Sequence, residues 1–240
     1  MSTWQIIAAF VVMYVAATVQ GSVGFGQNLL AAPMMLQIDE SLVPAPIMVA
    51  VVVTNVTLFL RERGHVDLKL AGPAIVARVP GAIAGAMLVA TVSATVLGLV
   101  VAAAVFAVVL ISAFGPEPSR SPQLLAGAGL VSGFTGTTTS IGGPFVALAM
   151  AGVPGPVLRS SMGLYFMCGS AVSLTALTLS GVLDGEALRT GLLLAPAVAV
   201  GVWSSRWFVP ILDRGYTRPA IFTLSTLASV LLVIRLLWLS

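Results

Sequence analysis

Long apolar runs separated by short polar gaps fill the chain, at roughly 4–20, 27–37, 43–60, 70–91, 93–113, 122–132, 141–151, 156–180, 186–206 and 216–239. A helix rises ~1.5 Å per residue and a bilayer core is ~30 Å thick, so six of these runs are long enough to span. The runs at 27–37, 122–132 and 141–151 are too short, and 4–20 is borderline. Those four flank two glycine-rich breaks, "GSVGFGQN" at 21–28 and "GFTGTTTSIGGP" at 133–144. Strand-like alternation is absent, and backbone polar groups in hydrocarbon must be satisfied internally, so the pattern predicts packed helices rather than a barrel.

The two breaks belong to an internal repeat. "GSVGFGQNLLAAP", ending at Pro33, resembles "GFTGTTTSIGGP", ending at Pro144, and "VPAPIMVAV" from Val43 aligns with "VPGPVLRSS" from Val153, both offset by about 110 residues. Gly64 and Asp67 match Gly181 and Asp184, and Pro80 with Gly85 matches Pro196 with Gly201. The expected organisation is one integral membrane domain, 1–240, made of repeat 1 (1–115) and repeat 2 (120–240) joined by the proline-rich "FGPEPSRSPQ".

Charge arbitrates how the halves sit. If each broken pair crosses as one helix there are eight spans and parallel halves. If each pair is a re-entrant hairpin there are six spans and the second half is inverted. In the hairpin arrangement Arg61, Arg63, Lys69, Arg120, Arg159, Arg206, Arg214 and Arg218 share one side, while Asp39, Glu40, Asp184, Glu186 and Arg189 share the other. The positive-inside rule therefore favours an all-α, polytopic helical membrane protein of two inverted repeats, three spans plus one glycine-broken re-entrant hairpin each, with the basic side cytoplasmic.

Composition agrees with the pattern: of 240 residues 58% are hydrophobic and 8% charged, with a mean hydropathy of +1.08. A soluble globular domain is excluded. The net charge of +3 is scattered through the gaps and forms no basic patch of the kind that binds nucleic acid. Cys168 is the single cysteine, so an intrachain disulfide is impossible. The first apolar run lacks a basic flank and is read as retained in the mature chain rather than as a secretory signal.

Inverted repeats with broken helices are how secondary transporters build a midplane site, with half-helix ends pointing at the substrate. A half-helix starting near Ile141 would present its positive dipole end to the break, with Thr137, Thr138, Thr139 and Ser140 offering hydroxyls and Gly143 open backbone. In the first half Gln20, Gln27 and Asn28 offer amides, and Gly24 lets the turn form. The competing reading of such glycines is tight helix packing, which is the one adopted for Gly81 and Gly85. Arg159 follows "VPGPVL" and suits either an anion or a lipid headgroup; Arg78 lies nearer mid-span, where a charge is costly and faces a cavity or a partner. Thr54 and Asn55 read as glue between helices. His65 sits in the polar "RERGHVDLK" and reads as a solvated loop residue. Trp4, Trp203, Trp207 and Trp238 lie near run ends, as in an aromatic belt.

No acid falls well inside a run, so a proton-relay carboxylate is not visible, and neither a phosphate-binding loop nor a protease constellation is present. An enzyme is not expected, and no cofactor or metal is called for. The expected partners are a small organic or sulfur oxyanion and the lipid bilayer, without nucleic acid, and a homo-oligomer is compatible with the sequence. The competing classes are a non-transporting membrane subunit and an anion channel.

The residues "GSVGFGQNLLAAP", "RERGHVDLK", "GAIAGAMLV" and the second break followed by "GVPGPVLRSS" resemble the TauE/SafE family of membrane permeases, the sulfite exporter group, over essentially the whole chain. The resemblance implies a multi-pass permease of the bacterial inner membrane for sulfite, sulfoacetate or other sulfonates. "TGTTTS" departs from the first half's "VGFGQN" in being richer in hydroxyls. On this reading Arg159 and Thr138 are expected to be essential for flux.

Overall fold

A computed structural model of the protein describes residues 2–114 and 119–212, with 230 and 234. The run at 216–239, with Arg214, Arg218 and Trp238, lies outside the described residues. Those residues form nine α-helices and no strand: α1 (Thr3–Val23), α2 (Gln27–Ile38), α3 (Ala45–Glu62), α4 (Leu68–Val89), α5 (Ala94–Phe114), α6 (Pro122–Thr139), α7 (Gly143–Ala149), α8 (Gly155–Leu179) and α9 (Gly185–Leu212). Among the described residues, four segments are long and apolar enough to cross a membrane: Thr3–Ser22, Leu68–Val89, Ser160–Leu179 and Gly185–Phe208, with Ala45–Arg61 and Ala94–Val108 as shorter apolar helices. Large apolar side chains point outward from them, among them Trp4, Val76, Met87 and Leu179. This outward apolar surface is what a lipid-facing wall requires.

Helix boundaries follow local chemistry. Ser2 and Gln5 close a capping box on α1, Ser121 caps α6 with Pro122 in its first turn, and Asp67 accepts from the backbone N–H of Lys69 at the start of α4. The α1/α2 and α6/α7 pairs each turn back on themselves. Gln5 Nε2 donates to the Ile38 carbonyl at 2.9 Å, joining the start of α1 to the end of α2. Arg120 Nε donates to the Ala151 carbonyl at 3.1 Å, tying the approach to α6 to the end of α7.

Three expectations need correction. The breaks are narrower than the glycine content suggested: α1 continues through Gly21 to Val23, and α6 runs on from 132 through Gly133, Gly136 and three threonines to Thr139. Thr135, Thr138 and Thr139 donate to the carbonyls of Val131, Phe134 and Thr135, so each hydroxyl is satisfied inside the helix it occupies. The second helix of that pair starts at Gly143 rather than near Ile141. The proline register also shifts, because Pro33 lies inside α2 whereas Pro144 sits at the start of α7. The positions that correspond in geometry are Gly24 with Ser140, each a left-handed helix end, and Gly26 with Gly142, each preceding the next helix.

Packing is reciprocal: the broadest helix contacts are α4 against α6 and α1 against α9, with α3 and α8 pressed together between them. Glycines set the α4/α6 spacing. A Cβ at Gly81 would overlap the Leu130 backbone, one at Gly129 the Ala74 backbone, and one at Gly133 the Arg78 carbonyl. This is close backbone approach of the kind small residues permit in membranes. The packing reading of Gly81 thus holds, and it extends to Gly133 within the opening of the second break.

Candidate functional site

The two breaks touch. Asn28, in the first turn of α2, donates through Nδ2 to the Ser140 carbonyl at 2.9 Å, and Ser140 Oγ donates to the Pro44 carbonyl at 3.4 Å. Beside this junction lies a cavity of about 40 Å³. One water centre needs ~10–15 Å³ on the same measure, so the cavity has room for an anion of a few heavy atoms. Gln20, Gly26 and Asn28 line it from the first break, Gly136, Ser140, Gly142 and Gly143 from the second, Asn55 from α3, Arg78 from α4, and Phe166 and Ser170 from α8. Arg78 is the eleventh residue of a 22-residue helix, so the cavity lies at mid-height.

Arg78 dominates its electrostatics. The side chain is 4% exposed. Its guanidinium rests 5.0 Å from the Tyr165 ring centre, and a Cβ on Gly169 would fall against Nε. NH1 donates to Tyr165 Oη at 2.8 Å and NH2 to Ser173 Oγ at 3.0 Å, whereas Nε has no partner. A guanidinium has five N–H donors, so most of its capacity is unspent. Among the described residues no carboxylate lines the cavity, and the chain's acids, at 39, 40, 62, 67, 117, 184, 186 and 213, all avoid the centres of the apolar runs. Tyr165 Oη passes the contact on to Ser132 Oγ, which donates to the Gly142 carbonyl at 2.7 Å. The buried cation is thereby wired to the second break.

Around the first break the amides form a second network. Gln20 Oε1 accepts from the Gln27 backbone N–H at 3.1 Å, and its Nε2 donates to Asn55 Oδ1 at 3.2 Å. Asn55 Nδ2 continues to Ser170 Oγ. Gln27 Oε1 accepts from Thr54 Oγ1 at 2.8 Å, while Gln27 Nε2 and Asn28 Oδ1 are buried without partners.

Of the residues singled out from sequence, the fold brings Gln20, Asn28, Arg78, Ser140 and Gly143 to the cavity wall. Gln27 is fully buried behind it, and Gly24 forms the turn at φ 96° without lining it. Thr137, Thr138 and Thr139 are also fully buried and off the wall; Thr137 Oγ1 meets Ser173 Oγ at 2.8 Å. Arg159 lies near the start of α8, and its side chain is outside the described residues. Its backbone is seven residues before Phe166, about 10 Å along the helix axis. Asn55, placed as helix glue, both joins helices and lines the cavity. Sequence reasoning missed Tyr165, Ser132, Ser170 and Ser173. The available signal was the spacing of Tyr165, Phe166, Gly169, Ser170 and Ser173, which places polar and small residues on one face of α8.

A second, larger cavity of about 360 Å³ sits beyond Pro44, between the α2–α3 and α8–α9 connections, and carries Asp39, Asp184 and Glu186. Ser140, bonded to Pro44, stands between the two cavities.

The profile of the family described as Sulfite exporter TauE/SafE matches residues 9–232. No curated protein and no solved structure matches the chain.

Proposed function

Because the chain belongs to the Sulfite exporter TauE/SafE family and is a membrane transporter, we propose that it moves a small sulfur or organic oxyanion by alternating access through the cavity between the two breaks. The observation that carries this reading is Arg78: a buried guanidinium on the cavity wall with spare donors and no carboxylate beside it. An uncompensated charge within a span is costly, and an anion in the cavity offsets that cost. Sulfite and the sulfonates have the needed charge and acceptor oxygens.

Alternating access requires two packed bodies that rock about the site. The α1/α2 and α6/α7 hairpins, their matching left-handed ends and the reciprocal α4/α6 and α1/α9 contacts support two inverted repeats in that role. Charge favours export. The acidic cavity beyond Pro44 repels a returning anion, while the opposite, Arg-rich side gathers it.

The test is flux of labelled sulfite in proteoliposomes, with thermal stabilisation of the purified protein by sulfite as a second readout. Arg78→Gln keeps a hydrogen-bonding group near Tyr165 and Ser173 but removes the charge. Truncating a buried charge partner costs about 2–5 kcal/mol, so flux at low substrate should fall about thirtyfold or more. Wild-type flux in Arg78→Gln overturns the site. Flux that neither saturates nor shows counterflow overturns alternating access in favour of a channel, and no stabilisation by any sulfonate, sulfite or carboxylate overturns the oxyanion reading.

A further inference from the structure

The cavity's unspent polar groups describe its ligand more narrowly than the word anion does. Resting on the oxyanion reading above, we propose that the site selects a singly charged oxyanion that carries a hydrogen-bond donor of its own, a hydroxyl or a protonated oxygen, which it gives to Asn28 Oδ1.

Two observations carry this. First, the charge available is one. Arg78 is the only cation on the wall among the described residues, and no acid shares the wall. A monoanion leaves the enclosed site neutral, whereas a dianion leaves a net negative charge where solvation is poor.

Second, the wall has a buried acceptor that nothing in the protein serves. The Asn28 amide cannot be turned round to remove it. Its Nδ2 faces the Ser140 carbonyl at 2.9 Å, and a carbonyl accepts only a donor. Oδ1 is therefore the atom left over, and it is buried and unpartnered. The other two side-chain amide oxygens on the wall are already served, Gln20 Oε1 by the Gln27 backbone N–H and Asn55 Oδ1 by Gln20 Nε2, and Ser170 Oγ donates to the Phe166 carbonyl. A ligand that only accepts would satisfy Arg78 and strand Asn28 Oδ1. A ligand that also donates would satisfy both.

The test compares two monoanionic sulfonates of near-identical size, hydroxymethanesulfonate and ethanesulfonate, in which a hydroxyl replaces a methyl group. Each is titrated against the full-length protein in detergent, read by thermal stabilisation, and then used to compete for sulfite flux in proteoliposomes. A site built around a ligand hydroxyl discriminates strongly against the analogue lacking it, so the hydroxylated compound should bind tenfold or more the tighter. Asn28→Leu should erase that preference, bringing the affinities of the two sulfonates to within about threefold of each other. The wild-type comparison stands without it if the variant does not fold. Equal affinity of the pair in the wild type overturns the donor requirement and leaves the anion site standing. Binding of sulfate as tight as that of hydroxymethanesulfonate overturns the single-charge requirement. Binding of none of the three, with no competition against flux, overturns the anion site itself.

Discussion

At the first break the chain leaves α1 through Gly24 at φ 96° and approaches α2 through Gly26 at φ 105°; at the second it leaves α6 through Ser140 at φ 63° and approaches α7 through Gly142 at φ −107°. The same sharp reversal is made with glycines in one half and with a serine in the other. The chemistry differs as well: side-chain amides surround the first break and hydroxyls the second. The hydroxyl side looks richer in ligand groups, but it is the more fully satisfied. Thr138, Thr139 and Ser132 all donate to nearby carbonyls, and Thr137 pairs with Ser173. The amide side keeps Asn28 Oδ1 and Gln27 Nε2 unpartnered. A threonine hydroxyl in a helix reaches the carbonyl four residues back and satisfies itself. An amide has more valences than its own turn can fill, so it looks across to another helix or to a ligand.

Gln20 and Thr139 test that contrast most strongly, since each caps the backbone N–H that follows its own break. Gln20 accepts from Gln27 and donates to Asn55, whereas Thr139 Oγ1 accepts only from Ile141, at 3.2 Å, besides bonding its own helix. An interhelical hydrogen bond in a membrane protein is worth only about 0.6 kcal/mol on average. Leaving a buried partner bare costs more, about 1–3 kcal/mol per group. Gln20→Leu strands two such groups and should destabilise by about 2–4 kcal/mol; Thr139→Val strands one and should cost about 1–2 kcal/mol. Tryptophan fluorescence during unfolding in mixed detergent micelles measures both. Equal losses would mean that the two breaks are chemically equivalent after all.

Much of this architecture is legible before any coordinates. Run lengths mark three of the four segments that are long and apolar enough to span, leaving Thr3–Ser22 borderline, and repetition marks the two breaks as a pair. What hides is the difference between a glycine that opens backbone and one that lets helices touch. Gly26 lies on the cavity wall, while Gly133 lies under the Arg78 carbonyl, and nothing local separates them, because the distinction is made by α4, some fifty residues away. The same holds for Arg78 and Arg159. Both follow a short apolar stretch that contains proline, but only knowledge of which helices meet puts Arg78 against Tyr165 and Ser173. Tyr165 by itself reads as bulk within an apolar run; only its spacing with the serines of α8 hints at a role, because its partners lie on two other helices.

The left-handed positions offer a smaller test of the comparison. A non-glycine residue at positive φ costs of order 1 kcal/mol, so Gly24→Ala should destabilise by about that amount. Ser140→Gly should go the other way or be neutral, since it removes that strain together with one long bond to Pro44. Its transport consequence sharpens the point. The Ser140 carbonyl, not its hydroxyl, receives Asn28, so anion stabilisation in Ser140→Gly should stay within about twofold of wild type in a thermal titration.

Thr138→Val carries the smallest expected effect and decides the most about how the second break is read. From composition, Thr138 belongs to the lip of the site and its loss should abolish flux. In the fold its side chain is fully buried, its hydroxyl donates to the Phe134 carbonyl at 2.7 Å, and it is absent from the cavity wall. Valine is close in size and loses only a bond internal to α6, whose carbonyl still accepts from the helix backbone. Sulfite flux in Thr138→Val proteoliposomes should therefore remain within about twofold of wild type, with stability changed by no more than about 1 kcal/mol. Abolished flux in a folded Thr138→Val protein would mean that the hydroxyl turns toward the anion during the transport cycle, and would restore the second break as a ligand-binding lip in its own right.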